Sequence, residues 1–169
     1  MSTMRKFLAL ITIVLATLLG AIAVPTSASA KTVNLAVIDA GSYAASLHVH
    51  AAVSVLDTQT GALYYSGYSR TRFPSASVVK VYMAVYLLRR GLMYGYNEQR
   101  AWPMITQSNN SAFEYLLGKY FNGSATRLFY WMQEHYPYSR MGAPPTTSWC
   151  WGSTRITARG ITRLYQKIL

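Results

Sequence analysis

The sequence predicts a mixed α/β fold of the α+β type, in which an N-terminal β-hairpin precedes a helical subdomain. The chain has 169 residues, 51% of them hydrophobic, which is enough to bury a core. Two apolar runs flank a turn-forming stretch at residues 57–61, and this arrangement indicates strand, turn and strand. Beyond residue 77, apolar side chains recur at helical spacing. We therefore expect one domain over residues 31–169.

Residues 1–30 have the pattern of a signal peptide. Arg5 and Lys6 give it a positive start, an apolar run continues to Val24, and small residues lead up to Ala30. The apolar run is long enough to suggest a membrane span, but Pro25 and the small residues after it favour cleavage near Ala30. We expect the mature protein to be secreted, either outside the cell or in the cell wall.

The remaining elements follow in chain order. A helix is expected around residues 40–47, before the hairpin. A strongly apolar helix runs from Ser77 to Arg90, with apolar residues at 78, 81, 85 and 88 and with Gly91 as its stop. Later helices, most of them opened by a serine or threonine that can cap them, are expected at 99–106, 111–119, 124–134 and 158–168. A proline-containing loop at 137–148 precedes the last one.

The composition argues against cofactor chemistry. Cys150 is the only cysteine, so an internal disulfide is excluded. His48, His50 and His135 do not have the spacing of a zinc site. We therefore expect neither a metal nor a cofactor.

The charge is strongly basic, with a formal net charge of +11. The arginines are scattered along the chain and form no dense run, which argues against nucleic acid as a partner. For an exported protein, attraction to an anionic cell wall or membrane surface explains this charge, and simple solubility is the alternative. We expect a monomer.

The segment from Ser77 to Lys80 carries the first chemical signal. It holds a hydroxyl and an amine one helical turn apart on the same face, so that a neutral amine could take the serine proton. The N-terminus of a helix would also stabilise developing negative charge. An S-x-x-K match alone is weak, because a capping serine followed by a solvated lysine has the same spacing.

Ser108, Asn109 and Asn110 carry the second signal. A second serine can relay a proton to a leaving nitrogen, and a carboxamide can hold the amide carbonyl of a substrate. Acyl transfer needs both groups beside a serine–lysine pair. Helix capping by Ser108 or Ser111 is the alternative interpretation.

These two motifs resemble the S-x-x-K and S-D-N elements of class A β-lactamases and penicillin-binding proteins. The surrounding residues, roughly 50–169, are similar to small secreted serine hydrolases of actinobacterial type, including Trp151-Gly152 before the last helix. The resemblance implies a β-lactamase/transpeptidase-like fold and a β-lactam or peptidoglycan-like amide as substrate. It also implies roles for four residues: Ser77 as acylated nucleophile, Lys80 as general base or proton relay, Ser108 as proton shuttle and Asn110 as substrate ligand.

The chain departs from this family in several respects. Asn109 stands where the family more often has aspartate. No lysine precedes Thr-Gly or Ser-Gly, so the K-T-G strand that supplies a cation and an oxyanion-hole N–H is absent. The sheet strands that the family carries beyond Leu169 are missing, so we expect the chain to be truncated: either it is a fragment or disrupted copy, or another polypeptide completes the site. The loop at 138–149 contains no carboxylate to activate water, so slow or absent deacylation is expected.

A second interpretation is therefore open. The chain could be a non-catalytic remnant, or a cell-wall-binding module that associates through charge and through its many tyrosines and tryptophans. Most of these aromatic residues have strand or helix spacing, which also suits a core or the walls of a substrate site. Covalent labelling of Ser77 would separate the two interpretations.

Overall fold

The computed structural model describes residues 30–137 and 142–168. The predicted signal peptide and its cleavage site lie outside these residues, except for Ala30 itself. The described residues from 34 onward belong to one compact unit, which contains the hairpin and the helical core described below.

The described residues form a mixed α/β structure in which helices predominate. The α-helices are Ala30–Ser46 (α1), Lys80–Arg89 (α2), Gly95–Thr106 (α3), Asn110–Phe121 (α4), Ala125–His135 (α5) and Ala158–Ile168 (α6). The strands are Ser54–Leu56 (β1), Leu63–Tyr65 (β2), Phe73–Pro74 (β3) and Arg155–Ile156 (β4). Short 3₁₀ helices span Gly67–Arg70, Ala76–Val79 and Trp151–Ser153. The predicted mixed class is therefore confirmed.

The predicted hairpin is present. Strands β1 and β2 pair antiparallel, with Val55 opposite Tyr64. In the turn, the Asp57 carboxylate accepts the backbone N–H groups of Gln59 at 2.9 Å and Thr60 at 3.2 Å. Hydrogen bonds from Thr60 and then Gln59 stabilise the ionised form, so they lower the pKa of Asp57. Gly61 has a φ of +72°, which suits glycine and closes the turn.

A second antiparallel pair, β3 with β4, joins two distant parts of the chain. Phe73 lies opposite Ile156, and Pro74 lies opposite Arg155. The first 3₁₀ helix and strand β1 both pack against α6. The Gln166 side chain donates a 2.7 Å hydrogen bond to the carbonyl of Gly61, which ties α6 to the hairpin turn.

The core lies among α2, α3, α4 and α5, and α6 adds Leu164 to it. The predicted apolar face of α2 is only partly correct, because Val78 is 41% exposed and Leu88 is 61% exposed. The segment opens with a 3₁₀ turn of about 120° per residue instead of 100°, which rotates the face that is buried. The fully buried side chains of the core include Tyr82, Met83, Leu87, Phe113, Leu116, Leu128 and Met132.

Side-chain caps begin three of the helices. Ser124 accepts the N–H of Arg127 at the start of α5, and Thr157 accepts the N–H of Gly160 at the start of α6, as predicted. The cap of α4 is Asn109, which accepts the N–H of Ala112 at 2.9 Å, whereas Ser111 was expected.

Within the described residues, no helix has the length and hydropathy needed to cross a membrane.

Candidate active site

The site begins at the 3₁₀ helix Ala76–Val79, which connects β3 to α2. The backbone N–H of Ser75 donates to the carbonyl of Thr154 at 2.7 Å, so the turn is anchored beside β4. Ala76 has a φ of +44°, a left-handed conformation that a residue with a side chain adopts at a cost of roughly 1–3 kcal/mol. The Ser77 side chain that follows this strained residue is exposed.

Lys80 is the first residue of α2, and its side chain is 1% exposed. Its Nζ lies 3.1 Å from the Oγ of Ser77 and 3.0 Å from the Oγ of Ser108. It also lies 2.5 Å from the backbone carbonyl oxygen of Ser108 and 2.6 Å from the Oδ1 of Asn110. A solvated lysine, which was the alternative at this position, is therefore excluded.

Ser108 lies in the short connection between α3 and α4, with a φ of +55°. The next residue, Asn109, caps α4. The Oγ of Ser108 donates a 2.7 Å hydrogen bond to the Oγ of Ser77. Neither Ser108 nor Ser111 caps the helix, so the hydroxyl of Ser108 points into the cluster.

The structure thus brings together all four site residues that the sequence singled out: Ser77, Lys80, Ser108 and Asn110. We call them the Ser–Lys cluster. Two of the oxygens around the Lys80 amine, the carbonyl of Ser108 and the Oδ1 of Asn110, can only accept hydrogen bonds. A neutral amine has two N–H groups for these two acceptors and one lone pair left over. That lone pair is the group needed to accept a serine proton.

Burial shifts Lys80 towards this neutral form. Burial disfavours the charged ammonium and lowers the pKa of Lys80 below its usual 10.5, while the negative charge of Glu114 acts in the opposite direction. Glu114 itself is exposed on α4, so solvent screens its effect.

Trp151 was not singled out as a site residue by the sequence, yet it completes the surroundings of Lys80. The Lys80 Nζ lies 5.1 Å from the centre of its ring, and the ring packs edge-to-face on Phe113 at 5.2 Å. The 3₁₀ helix Trp151–Ser153 packs against the Ser77 turn. The sequence placed Trp151 in a segment that resembles the family, but its contact with Lys80 depends on tertiary packing.

Other charged side chains lie outside the Ser–Lys cluster. Lys119 donates to the Oδ1 of Asn97 at 3.0 Å, and Glu134 is exposed. Part of the loop that lacks a carboxylate, residues 138–141, lies outside the described residues. Within 30–137 and 142–168, no three His, Cys, Asp or Glu side chains are grouped so that they could hold a metal ion.

Comparisons with protein-family models, with curated proteins and with solved structures find no match to this chain. Its function must therefore be argued from the Ser–Lys cluster itself.

Proposed function

We propose that this chain is a serine acyl-transfer enzyme of the penicillin-recognising kind, acylated at Ser77 by a β-lactam or a peptidoglycan-like amide. The observation that carries the proposal is the buried Lys80 amine within hydrogen-bond distance of both the Ser77 and the Ser108 hydroxyls. A β-lactamase/transpeptidase-like fold is part of the same proposal.

The first step is attack by Ser77. As the Oγ of Ser77 bonds to the carbonyl carbon of the amide, its proton passes to the neutral amine of Lys80. Negative charge then develops on the former carbonyl oxygen. Ser77 lies in the first turn of a 3₁₀ helix, where backbone N–H groups have no partner within the helix, so its own N–H is suited to stabilise this oxyanion.

The second step is expulsion of the amine. The carbon–nitrogen bond breaks, the leaving nitrogen takes the hydroxyl proton of Ser108, and Ser108 regains a proton from the Lys80 ammonium. The 2.7 Å and 3.0 Å distances from the Ser108 Oγ to Ser77 and to Lys80 suit this relay. The net result is one proton moved from Ser77 to the leaving amine and one ester formed on Ser77.

Asn110 is assigned to substrate binding. Its Oδ1 accepts from Lys80 at 2.6 Å, which leaves the Nδ2 end as a donor for an amide carbonyl of the substrate.

Because the loop at 138–149 has no carboxylate to activate water, the ester on Ser77 should accumulate. We therefore propose stoichiometric acylation with slow turnover.

Intact-mass measurement after incubation with a fluorescent penicillin tests the proposal. One adduct per chain is expected, and Ser77→Ala should abolish it. Ser111→Ala is the matched control, since Ser111 is an exposed serine at the start of α4 outside the Ser–Lys cluster. Circular dichroism checks that the wild-type chain is folded. If the folded chain forms no adduct, the proposal that it is an acyl-transfer enzyme is wrong.

A non-catalytic cell-wall-binding module is the second candidate. It is favoured by an exposed aromatic pair on α3 and α4, Tyr96 and Tyr115, whose ring centres are 5.3 Å apart. The guanidinium of Arg100 lies 4.9 Å and 5.3 Å from these two rings. Such a surface suits stacking against sugars. Co-sedimentation with insoluble peptidoglycan in the absence of any adduct would support this candidate over the enzyme.

A further inference from the structure

A cavity of about 550 Å³ lies apart from the Ser–Lys cluster and is lined by four arginines: Arg70, Arg72, Arg159 and Arg163. None of the described residues that line it is acidic. Arg70 and Arg72 come from the end of the first 3₁₀ helix and the residues before β3, whereas Arg159 and Arg163 come from α6. We call this the arginine cavity.

The fold holds these side chains at one place. The first 3₁₀ helix packs directly against α6, which brings the two arginine pairs to the same cavity. Arg159 and Arg163 are one helical turn apart, so they project from the same face of α6. The Arg159 guanidinium lies 4.0 Å from the centre of the Tyr65 ring, a stacking contact that fixes its position.

The start of α6 adds to the positive potential. Thr157 and Gly160 line the same cavity, and the first turn of this 11-residue helix carries no acidic side chain. The positive end of a helix dipole therefore acts together with the four guanidinium groups.

We propose that the arginine cavity binds a small polyvalent oxyanion, such as a diphosphate or a tricarboxylate. Guanidinium groups form paired hydrogen bonds with phosphate and carboxylate oxygens, and four of them match a ligand with several negative charges. A cavity of about 550 Å³ is larger than one simple ion needs, and it falls within the range of small-molecule sites. Neither the sequence motifs nor the acyl-transfer proposal uses these residues.

Isothermal titration calorimetry and thermal unfolding of the full chain with pyrophosphate, and separately with citrate, test this site. At least one of the two anions should bind with a stoichiometry of one and raise the unfolding midpoint, because a ligand of the native state stabilises it. Sodium chloride at matched ionic strength should not reproduce the shift. The anion that binds more tightly identifies the ligand as phosphate-bearing or carboxylate-bearing.

Two double variants locate the site. Arg159→Gln with Arg163→Gln, and separately Arg70→Gln with Arg72→Gln, should each weaken binding at least ten-fold. Arg70 and Arg72 are exposed, so replacing them should leave the fold intact even if replacing Arg159 and Arg163 disturbs α6. Arg90→Gln with Arg127→Gln is the matched control, since both residues are exposed and lie outside the cavity. No binding of either anion, or binding that survives in both cavity variants, would overturn the proposal.

Discussion

At the residue scale, the chemistry depends on how Lys80 is accommodated. Its side chain is 1% exposed, and the partners of its amine among the described residues are hydroxyl and carbonyl oxygens and the ring of Trp151. A buried ammonium without a charged partner is unfavourable. Burial therefore shifts Lys80 towards the neutral state, which is the state that a general base requires.

The acylation rate should consequently depend on pH. Below the pKa of Lys80 the amine is protonated and cannot accept the Ser77 proton, so the rate of labelling by a fluorescent penicillin should rise with pH. Because burial lowers this pKa from 10.5, the rise should be centred below that value. Lys80→Arg, which stays protonated, should slow labelling by roughly 10²–10⁴-fold. A rate that is independent of pH would rule out Lys80 as the base.

At the scale of helices and strands, the sequence predicted those features that depend on interactions between residues close together in the chain. The turn at 57–61 and the caps at Ser124 and Thr157 are local, and the hairpin and the helix at 158–168 were predicted correctly. Helix α3 starts earlier than expected, because Asn97 in its first turn bonds to Leu92 and Lys119. The β3–β4 pair joins residues about 80 positions apart in the sequence, so no local sequence pattern predicts it.

The same division applies to the candidate site. Ser77 and Lys80 were found because one helical turn separates them, and their spacing is visible in the sequence. Trp151 was missed because its ring reaches Lys80 only through packing between two 3₁₀ helices that are distant in sequence.

Asn109 caps α4, and it is also the residue at which the chain departs from the S-D-N motif. Asn109→Ala removes the acceptor for the Ala112 N–H, so it should destabilise the protein by about 1 kcal/mol in urea denaturation. Asn109→Asp keeps an acceptor and adds a favourable charge at a helix N-terminus, so it should retain stability. The alanine variant should also slow acylation, because its neighbours Ser108 and Asn110 belong to the cluster. Equal destabilisation by both substitutions would contradict the capping role.

At the scale of the whole molecule, the charge is the dominant property. The chain has 16 basic and 5 acidic residues, and its formal net charge is +11. A field of this size concentrates anionic polymers and surfaces around the protein without any specific contact. The arginine cavity differs from this general attraction because it requires particular side chains.

Adsorption to anionic surfaces should therefore depend steeply on salt. Co-sedimentation with vesicles rich in anionic lipid should be strong at low ionic strength and largely lost in about 1 M NaCl, where the Debye length falls to about 3 Å. Neutral vesicles serve as the control. Removing two of the sixteen basic side chains, as in Arg159→Gln with Arg163→Gln, should change adsorption little. Salt-independent adsorption would show that apolar contacts, and not charge, cause it.

The hydrogen bond from Gln166 to Gly61 spans 105 positions in the sequence, and it has a kinetic consequence. The hairpin is covered by a helix that is synthesised long after it, so its packed state cannot form until that helix is available. Closing so large a loop is slow, and an isolated two-stranded hairpin is marginal in water. The chain should therefore acquire its helical core first and its hairpin packing last, which keeps β1 and β2 unprotected for most of the folding time.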